Sequence, residues 1–138
     1  MEQTDADLRH LFENSRTIAM VGASSNPAKA SHEIMKGLLA AGFTVIPVNP
    51  SETEVLGQPA YASLDAIPDP VDIVNVFRRP EQTPEIADAA VAMGARALWL
   101  QTGIVSDEAE RRAAAGGLAV VMDRCIGGTV ARLRVAKR

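Results

Sequence analysis

Five short apolar runs recur along the chain, at residues 17–21, 43–48, 71–77, 95–100 and 118–122, each rich in β-branched or aromatic side chains. Runs this short with few polar positions predict strands buried on both faces of a sheet, β1 to β5 in chain order. Between them the apolar period lengthens to that of a helix. Ile34, Leu38 and Ala41 share one face and stop at Gly42, while Ile86, Ala90 and Met93 share another and stop at Gly94. Glycine just past such a face is a helix stop signal. Ser106 is placed to cap a further helix whose early Asp107 and Glu108 suit the positive end of its dipole, and Gly116 and Gly117 end it. Leu8, Leu11 and Phe12 predict an amphipathic helix within an N-terminal extension over residues 1–15, and Val130 and Leu133 a weaker helix at the other end. The proline-rich link at 51–70 predicts a loop with a turn or two of helix around residues 63–66.

Strands spaced about 25 residues apart with helices between them require parallel pairing through right-handed crossovers. The expected fold class is α/β: a doubly wound five-stranded parallel sheet in the order 3-2-1-4-5, helices on both faces, forming a single domain over residues 1–138. That order makes β1 and β4 neighbours whose crossovers leave on opposite faces, so a crevice opens beyond their carboxyl ends. The turn at 22–27 and the small polar turn Gln101-Thr102-Gly103-Ile104 would then line it side by side.

Composition narrows the function classes. The chain has 138 residues, 47% of them hydrophobic, enough for one core. A net charge of -3 argues against broad nucleic-acid or anionic-membrane binding, which needs a basic footprint. No apolar run approaches the roughly 20 residues that cross a bilayer, and MEQTDADLRH lacks the basic-then-apolar order of a signal peptide, so a cytoplasmic protein is expected. One cysteine and two distant histidines suit neither a disulfide framework nor a metal centre.

The chemistry concentrates at TIAMVGASSNP, residues 17–27, where a strand pattern runs into a small hydroxyl-rich turn and then a helix. Gly22 removes the Cβ that would hold a ligand off the backbone, and unpartnered amides at the helix start attract anions, so a phosphorylated ligand is expected here. The nicotinamide fingerprint is absent: Ser24 and Pro27 stand at the later glycine positions, and β2 ends in Val48-Asn49-Pro50 without an acid for the ribose hydroxyls. No glycine-lysine-serine or glycine-lysine-threonine follows the turn, which disfavours a P-loop. A phospho-receiver domain needs acids after β1 and an aspartate after β3, where this chain has Ala23-Ser24-Ser25 and Arg78-Arg79.

VGASSNP, VIPVNP at 45–50, VDIVNVFRRP at 71–80, LWLQTGIV at 98–105 and VVMDRC at 120–125 together resemble the small single-domain CoA-binding proteins over about residues 16–126. These are similar to the CoA-binding domain of the succinyl-CoA ligase α-subunit, standing alone with a Rossmann-like fold and no catalytic domain. The resemblance implies that Gly22, Ala23, Ser24 and Ser25 hold the diphosphate of coenzyme A. It also implies that Val48, Asn49, Pro50, Phe77, Arg78, Arg79 and Pro80 flank the nucleotide, and that Gln101, Thr102 and Gly103 lie near the pantetheine arm. The ligase's phosphorylated histidine belongs to its other domain and corresponds to neither His10 nor His32. Two departures stand out. The family's common lysine after Asn49-Pro50 is Ser51 here, leaving Lys29, Arg78 or Arg79 to supply the charge, and IGGTVARL after Cys125 lacks the charged residues often seen there.

Plainer explanations compete for each residue. Gly22 could serve only a tight turn. Arg78 and Arg79 point to different sides, so one meets a phosphate while the other is solvated or pairs with Glu81. Lys29 is poorly placed for the helix dipole, which fits an anion partner as well as a solvated side chain. His32 reads as surface or packing, with stacking on an adenine as the sharper alternative, Asp123 and Arg124 as paired with each other or with loop amides, and Trp99 as core. Cys125, at the end of β5, invites a mixed disulfide with the CoA thiol, although free cysteines are commonly buried. No nucleophile, base and orienter set emerges. The expected function is non-catalytic binding of coenzyme A or acyl-CoA, with no metal and no identifiable protein partner. The alternative is a small enzyme or redox-sensing domain that takes NAD(P) or FMN.

Overall fold

The computed structural model describes residues 3–137; the outermost ends of the expected 1–138 domain and 1–15 extension lie outside the described residues. Among those residues, β1 (Thr17–Val21), β2 (Thr44–Val48), β3 (Ile73–Val76), β4 (Ala97–Leu100) and β5 (Ala119–Val121) form one parallel sheet. The helices are α1 (Asp5–Glu13), α2 (Ala30–Ala40), α3 (Thr83–Ala92), α4 (Asp107–Ala115) and α5 (Ile126–Arg132). The doubly wound α/β class and the five strands are as the apolar runs predict.

Strand order departs from the expected 3-2-1-4-5. β1 pairs with β2 on one side and with β3 on the other, giving 2-1-3-4-5. Two physical reasons select it. Pro47 sits inside β2 and has no N–H for a second ladder, which confines β2 to an edge. All four β3 residues are buried, which asks for an interior place. The β2–β3 link also carries no α-helix: it forms a hairpin of Glu54–Val55 and Gln58–Pro59 and a 3-10 turn at Leu64–Ala66. The expected turn of helix is therefore present, and the hairpin, closed by Leu56 and Gly57 at positive φ, was not foreseen.

The sheet divides two apolar clusters. Ile18, Met20, Val45, Ile73 and Trp99 pack with α1, α2 and α5, whereas Ala19, Val21, Val74, Leu98 and Val120 pack with α3 and α4. This alternation follows from the two-residue side-chain period of a strand. α1 is more than an appendage. Thr4 and Asp7 close its start by exchanging side-chain and backbone hydrogen bonds. Its Phe12 is fully buried, with its ring 5.5 Å from that of Trp99 and 6.1 Å from that of Phe43. The indole N–H of Trp99 donates to the Arg124 carbonyl at 2.7 Å, so the core assignment holds.

Asp72 ties β1 to β3 at the end away from the crevice. Its Oδ2 accepts the backbone N–H groups of Arg16 at 2.8 Å and Thr17 at 3.0 Å, and Oδ1 lies 3.5 Å from Arg96. Burial pushes this carboxyl up, but the two amides and the Arg96 guanidinium outweigh it and hold it below its ordinary value. A depressed folded pKa gives stability that is fully present above the unfolded value of about 3.9 and is lost as pH falls through the folded value. Asp72→Asn is therefore expected to lower the unfolding midpoint at neutral pH and to shrink the acid-induced loss of stability below about pH 5. Thermal unfolding of both proteins across that range checks this; parallel acid profiles would contradict it.

Candidate functional site

In the order 2-1-3-4-5 the strand direction of travel reverses between β1 and β3, so the crevice opens at their carboxyl ends rather than between β1 and β4. Gly22 stands at its centre with φ +92°. Its N–H donates to the Val48 carbonyl at 2.9 Å, and the Phe77 N–H donates to the Val21 carbonyl at 2.8 Å. A Cβ on Gly22 would overlap the Phe77 carbonyl oxygen and reach within 3.0 Å of the Phe77 Cβ. The glycine is thus required first by the approach of the β3 backbone, whatever it does for a ligand.

Ala23 is fully buried, and its carbonyl accepts Asn49 Nδ2 at 2.8 Å. Asn49 Oδ1 accepts the Ser51 N–H at 2.9 Å, so this one side chain staples the loop after β2 to the loop after β1. Ser24 Oγ accepts the Asn26 N–H at 3.0 Å, and the Ser24 carbonyl accepts His32 Nδ1 at 2.9 Å, which assigns the proton to that nitrogen. His32 is therefore a brace for the turn. Ser25 is exposed, and both its N–H, at 2.8 Å, and its Oγ, at 2.9 Å, donate to Glu52 Oε2. The turn thus already gathers an anionic oxygen. Lys29 is exposed at the start of α2, where no side chain caps the helix.

Beside the turn lies a cavity of about 650 Å³. Val21, Val48, Pro50, Leu64 and Ile86 supply apolar walls, Arg78 a cation, and Asp65, Glu81 and Glu85 carboxylates. A second groove, of about 660 Å³, runs between Phe77, Arg78, Arg79, Pro80, Gln82 and Ile104. Arg78 lines both, whereas Arg79 is more exposed and lines only the second. Neither forms the ion pair with Glu81 considered from sequence.

Gln101, Thr102 and Gly103 do not sit beside Gly22. β3 and the loop of Phe77 to Pro80 intervene, and Ile104 is the member of the β4 turn that reaches that loop. Gln101 is buried, and its Nε2 donates to Asn75 Oδ1 inside the sheet; Asn75 Nδ2 is left without a partner. Thr102 is exposed, and the Gly103 N–H donates to Asp123 Oδ1 at 2.6 Å, which joins the turns after β4 and β5. Asp123 is thus a loop-amide acceptor, one of its two foreseen roles. Cys125 stands at the start of α5, where its Sγ accepts the Gly128 N–H at 3.4 Å. After β5 the chain turns back over the sheet, with the Arg124 N–H donating to the Leu100 carbonyl and Gly127 packed beside Ile34 of α2.

Sequence reasoning missed Glu52 and the α3 wall of Glu81, Glu85 and Ile86. Glu52 is 27 residues from Ser25, and no spacing rule joins two loops across a sheet. The α3 wall follows only once β3 is known to adjoin β1.

Comparison with known proteins bears on this geometry. A family model described as CoA binding domain matches residues 16–130. Similar chains include the uncharacterized protein YneT of Bacillus subtilis (strain 168), 42% identical over 121 residues, which make up 88% of this chain and 90% of that protein. Acetate–CoA ligase (ADP-forming) II of Archaeoglobus fulgidus is 30% identical over 114 residues, 81% of this chain but only 17% of the ligase. A solved structure of a hypothetical protein from Pyrococcus horikoshii OT3 superposes with a TM-score of 0.92 at 38% identity, covering 95% of this chain and 92% of that one.

Proposed function

Because this chain belongs to the CoA-binding domain family, we propose that it binds coenzyme A or acyl-CoA across the carboxyl ends of β1, β3 and β4 without transforming it. The observation that carries this reading is the convergence of the Ser25 N–H and hydroxyl on a single anionic oxygen at the Gly22 turn. An N–H and a hydroxyl aimed at one point suit a diphosphate, whose oxygens present the same acceptor chemistry as the carboxylate now there.

The remaining contacts sort by charge. Asp65, Glu81 and Glu85 repel phosphate from the cavity they line but can accept hydrogen bonds from ribose hydroxyls or a base amino group between Leu64, Pro50 and Ile86. Arg78, between the cavity and the groove, is the cation best placed for a phosphate, bound bidentately. It replaces the lysine that Ser51 does not supply. The groove of Phe77, Pro80 and Ile104 offers apolar surface to a pantetheine chain. Coenzyme A, when bound, supplies a thiol or thioester at the end of that chain.

Binding rather than turnover is supported by what the candidate nucleophile and bases already do. Cys125 closes a helix start, His32 braces Ser24, and His10 pairs with Asn14 on α1. The strand order 2-1-3-4-5 is also one in which FMN binds at the β1/β3 switch point, which keeps a flavin reading in play.

Calorimetric titration with CoA, acetyl-CoA, NAD, NADP and FMN separates these readings. CoA and acetyl-CoA are expected to bind most tightly, with no thiol released from acetyl-CoA above the buffer rate. Tightest binding of a flavin or nicotinamide nucleotide would replace the ligand, and catalysed thiol release would replace the non-catalytic half.

A further inference from the structure

We infer that Glu52 is an internal competitor of the bound ligand: its carboxylate occupies the anion seat of the β1 turn and has to swing out before a diphosphate can enter. The inference rests on the CoA reading of the site and adds a device that regulates it. Glu52 Oε2 takes both Ser25 donors, the N–H at 2.8 Å and the hydroxyl at 2.9 Å, so the seat is filled by one oxygen of the protein's own.

The surroundings make this contact easy to open. Glu52 is half-buried, its carboxylate forms no ion pair among the described residues, and its other oxygen carries no hydrogen bond there. Two donors without a counter-charge hold a carboxylate less firmly than a guanidinium would. The backbone beneath it is fixed independently. The Glu52 N–H donates to the Asn49 carbonyl at 3.2 Å, the Ser51 N–H to Asn49 Oδ1 at 2.9 Å, and Asn49 Nδ2 to the Ala23 carbonyl at 2.8 Å. The side chain can therefore leave by rotamer change while the loop stays.

The device also selects. A neutral ligand cannot replace the carboxylate on Ser25, whereas a diphosphate brings more charge to the same donors and gains Arg78 alongside. The loop after Pro50 carries Ser51 and Glu52, an acid and no cation, and the ligand's apparent affinity falls by whatever the Glu52 contact contributes.

Titration of CoA into the native chain, Glu52→Ala, Glu52→Gln and Glu54→Gln tests this. Glu54 is exposed on the same link, with no side-chain hydrogen bond or ion pair to another described residue, and it measures the general effect of removing one negative charge. Glu52→Ala is expected to bind CoA about tenfold tighter, the value of one charge-assisted hydrogen bond, with Glu52→Gln intermediate and Glu54→Gln within about twofold of native. Unchanged or weaker binding by both Glu52 variants, or an equal gain from Glu54→Gln, would overturn the competitor role while leaving the CoA site intact. Should the native chain and both Glu52 variants all fail to bind CoA, the CoA reading falls, and inorganic pyrophosphate titrated into the same proteins decides the seat: tighter binding to Glu52→Ala upholds it, and no difference or no binding removes it.

Discussion

Gly22→Ala is expected to lower the unfolding midpoint by roughly 10 °C, corresponding to about 3 kcal/mol in a chain of this size. About 1–2 kcal/mol comes from placing a Cβ at positive φ, since Gly22 has φ +92°. The rest, of the order of 1–3 kcal/mol by analogy with overpacked cores, comes from pushing back the Phe77 carbonyl that the new atom would overlap. Gly94→Ala separates the two costs. Gly94 also has positive φ, +77°, but a Cβ there meets nothing within 4 Å. It is expected to lose only about 1–2 kcal/mol. Circular dichroism melts of the two variants measure the difference; equal losses would mean that the β1–β3 approach does not demand a glycine. The same reasoning makes Gly22 a poor probe of binding alone, because spreading β1 from β3 opens the floor of the crevice as well.

Arg78→Ala is expected to weaken CoA binding by about 10- to 100-fold, the range for losing a charge-assisted contact to phosphate. Its unfolding midpoint should stay near native, since Arg78 has no hydrogen bond or ion pair to another described residue and lines two cavities rather than packing in the core. Arg79→Ala is the matched control. It changes the net charge equally, yet its side chain is exposed and lines only the outer groove, so a loss within about threefold is expected. Calorimetry on the three proteins checks the ordering. A larger loss at Arg79 would exchange their roles, and equal losses would reduce both to long-range charge.

The sequence patterns carried much of this arrangement and obscured a specific part of it. Each sheet strand lies within its apolar run, because strands buried on both faces leave few polar positions to blur the signal. Ser106 caps α4 as its position before Asp107 implies, with its Oγ accepting the Ala109 N–H at 3.1 Å. Strand order was harder to read. Five alternating strands and helices suit more than one doubly wound order, and the discriminating feature was a single residue, Pro47, whose missing N–H keeps β2 at an edge. α5 was similarly faint: its first turn, Ile126-Gly127-Gly128, carries two poor helix formers, and its stability comes from tertiary packing. A Cβ on Gly127 would lie 3.2 Å from Ile34 Cγ2, so glycine there lets α5 approach α2 closely.

The site divides along the same line. The turn at 22–25 and the Arg78-Arg79 pair stood out by residue type alone, while the structural use of Gly22 against Phe77 and the difference in exposure between the two arginines needed the fold. Gln101 and Cys125 stood out for the same local reasons, yet the structure gives Gln101 to Asn75 and Cys125 to the start of α5. Local motif chemistry cannot distinguish a group aimed at a ligand from one aimed at a neighbouring loop when strand order decides which loops are neighbours. Glu52 marks the opposite case, where a loop acid with no motif lands on the central donors of the turn.

The central claim is that coenzyme A lies across the ends of β1, β3 and β4, and backbone amide chemical-shift mapping during a CoA titration tests it most directly. The largest changes are expected at the amides of Gly22 to Ser25, Phe77 to Arg79 and Ile104, with Ser25 foremost as Glu52 leaves its N–H. Changes confined to the opposite end of the sheet, around Arg16, Asp72 and Arg96, or no changes at saturating CoA, would contradict it.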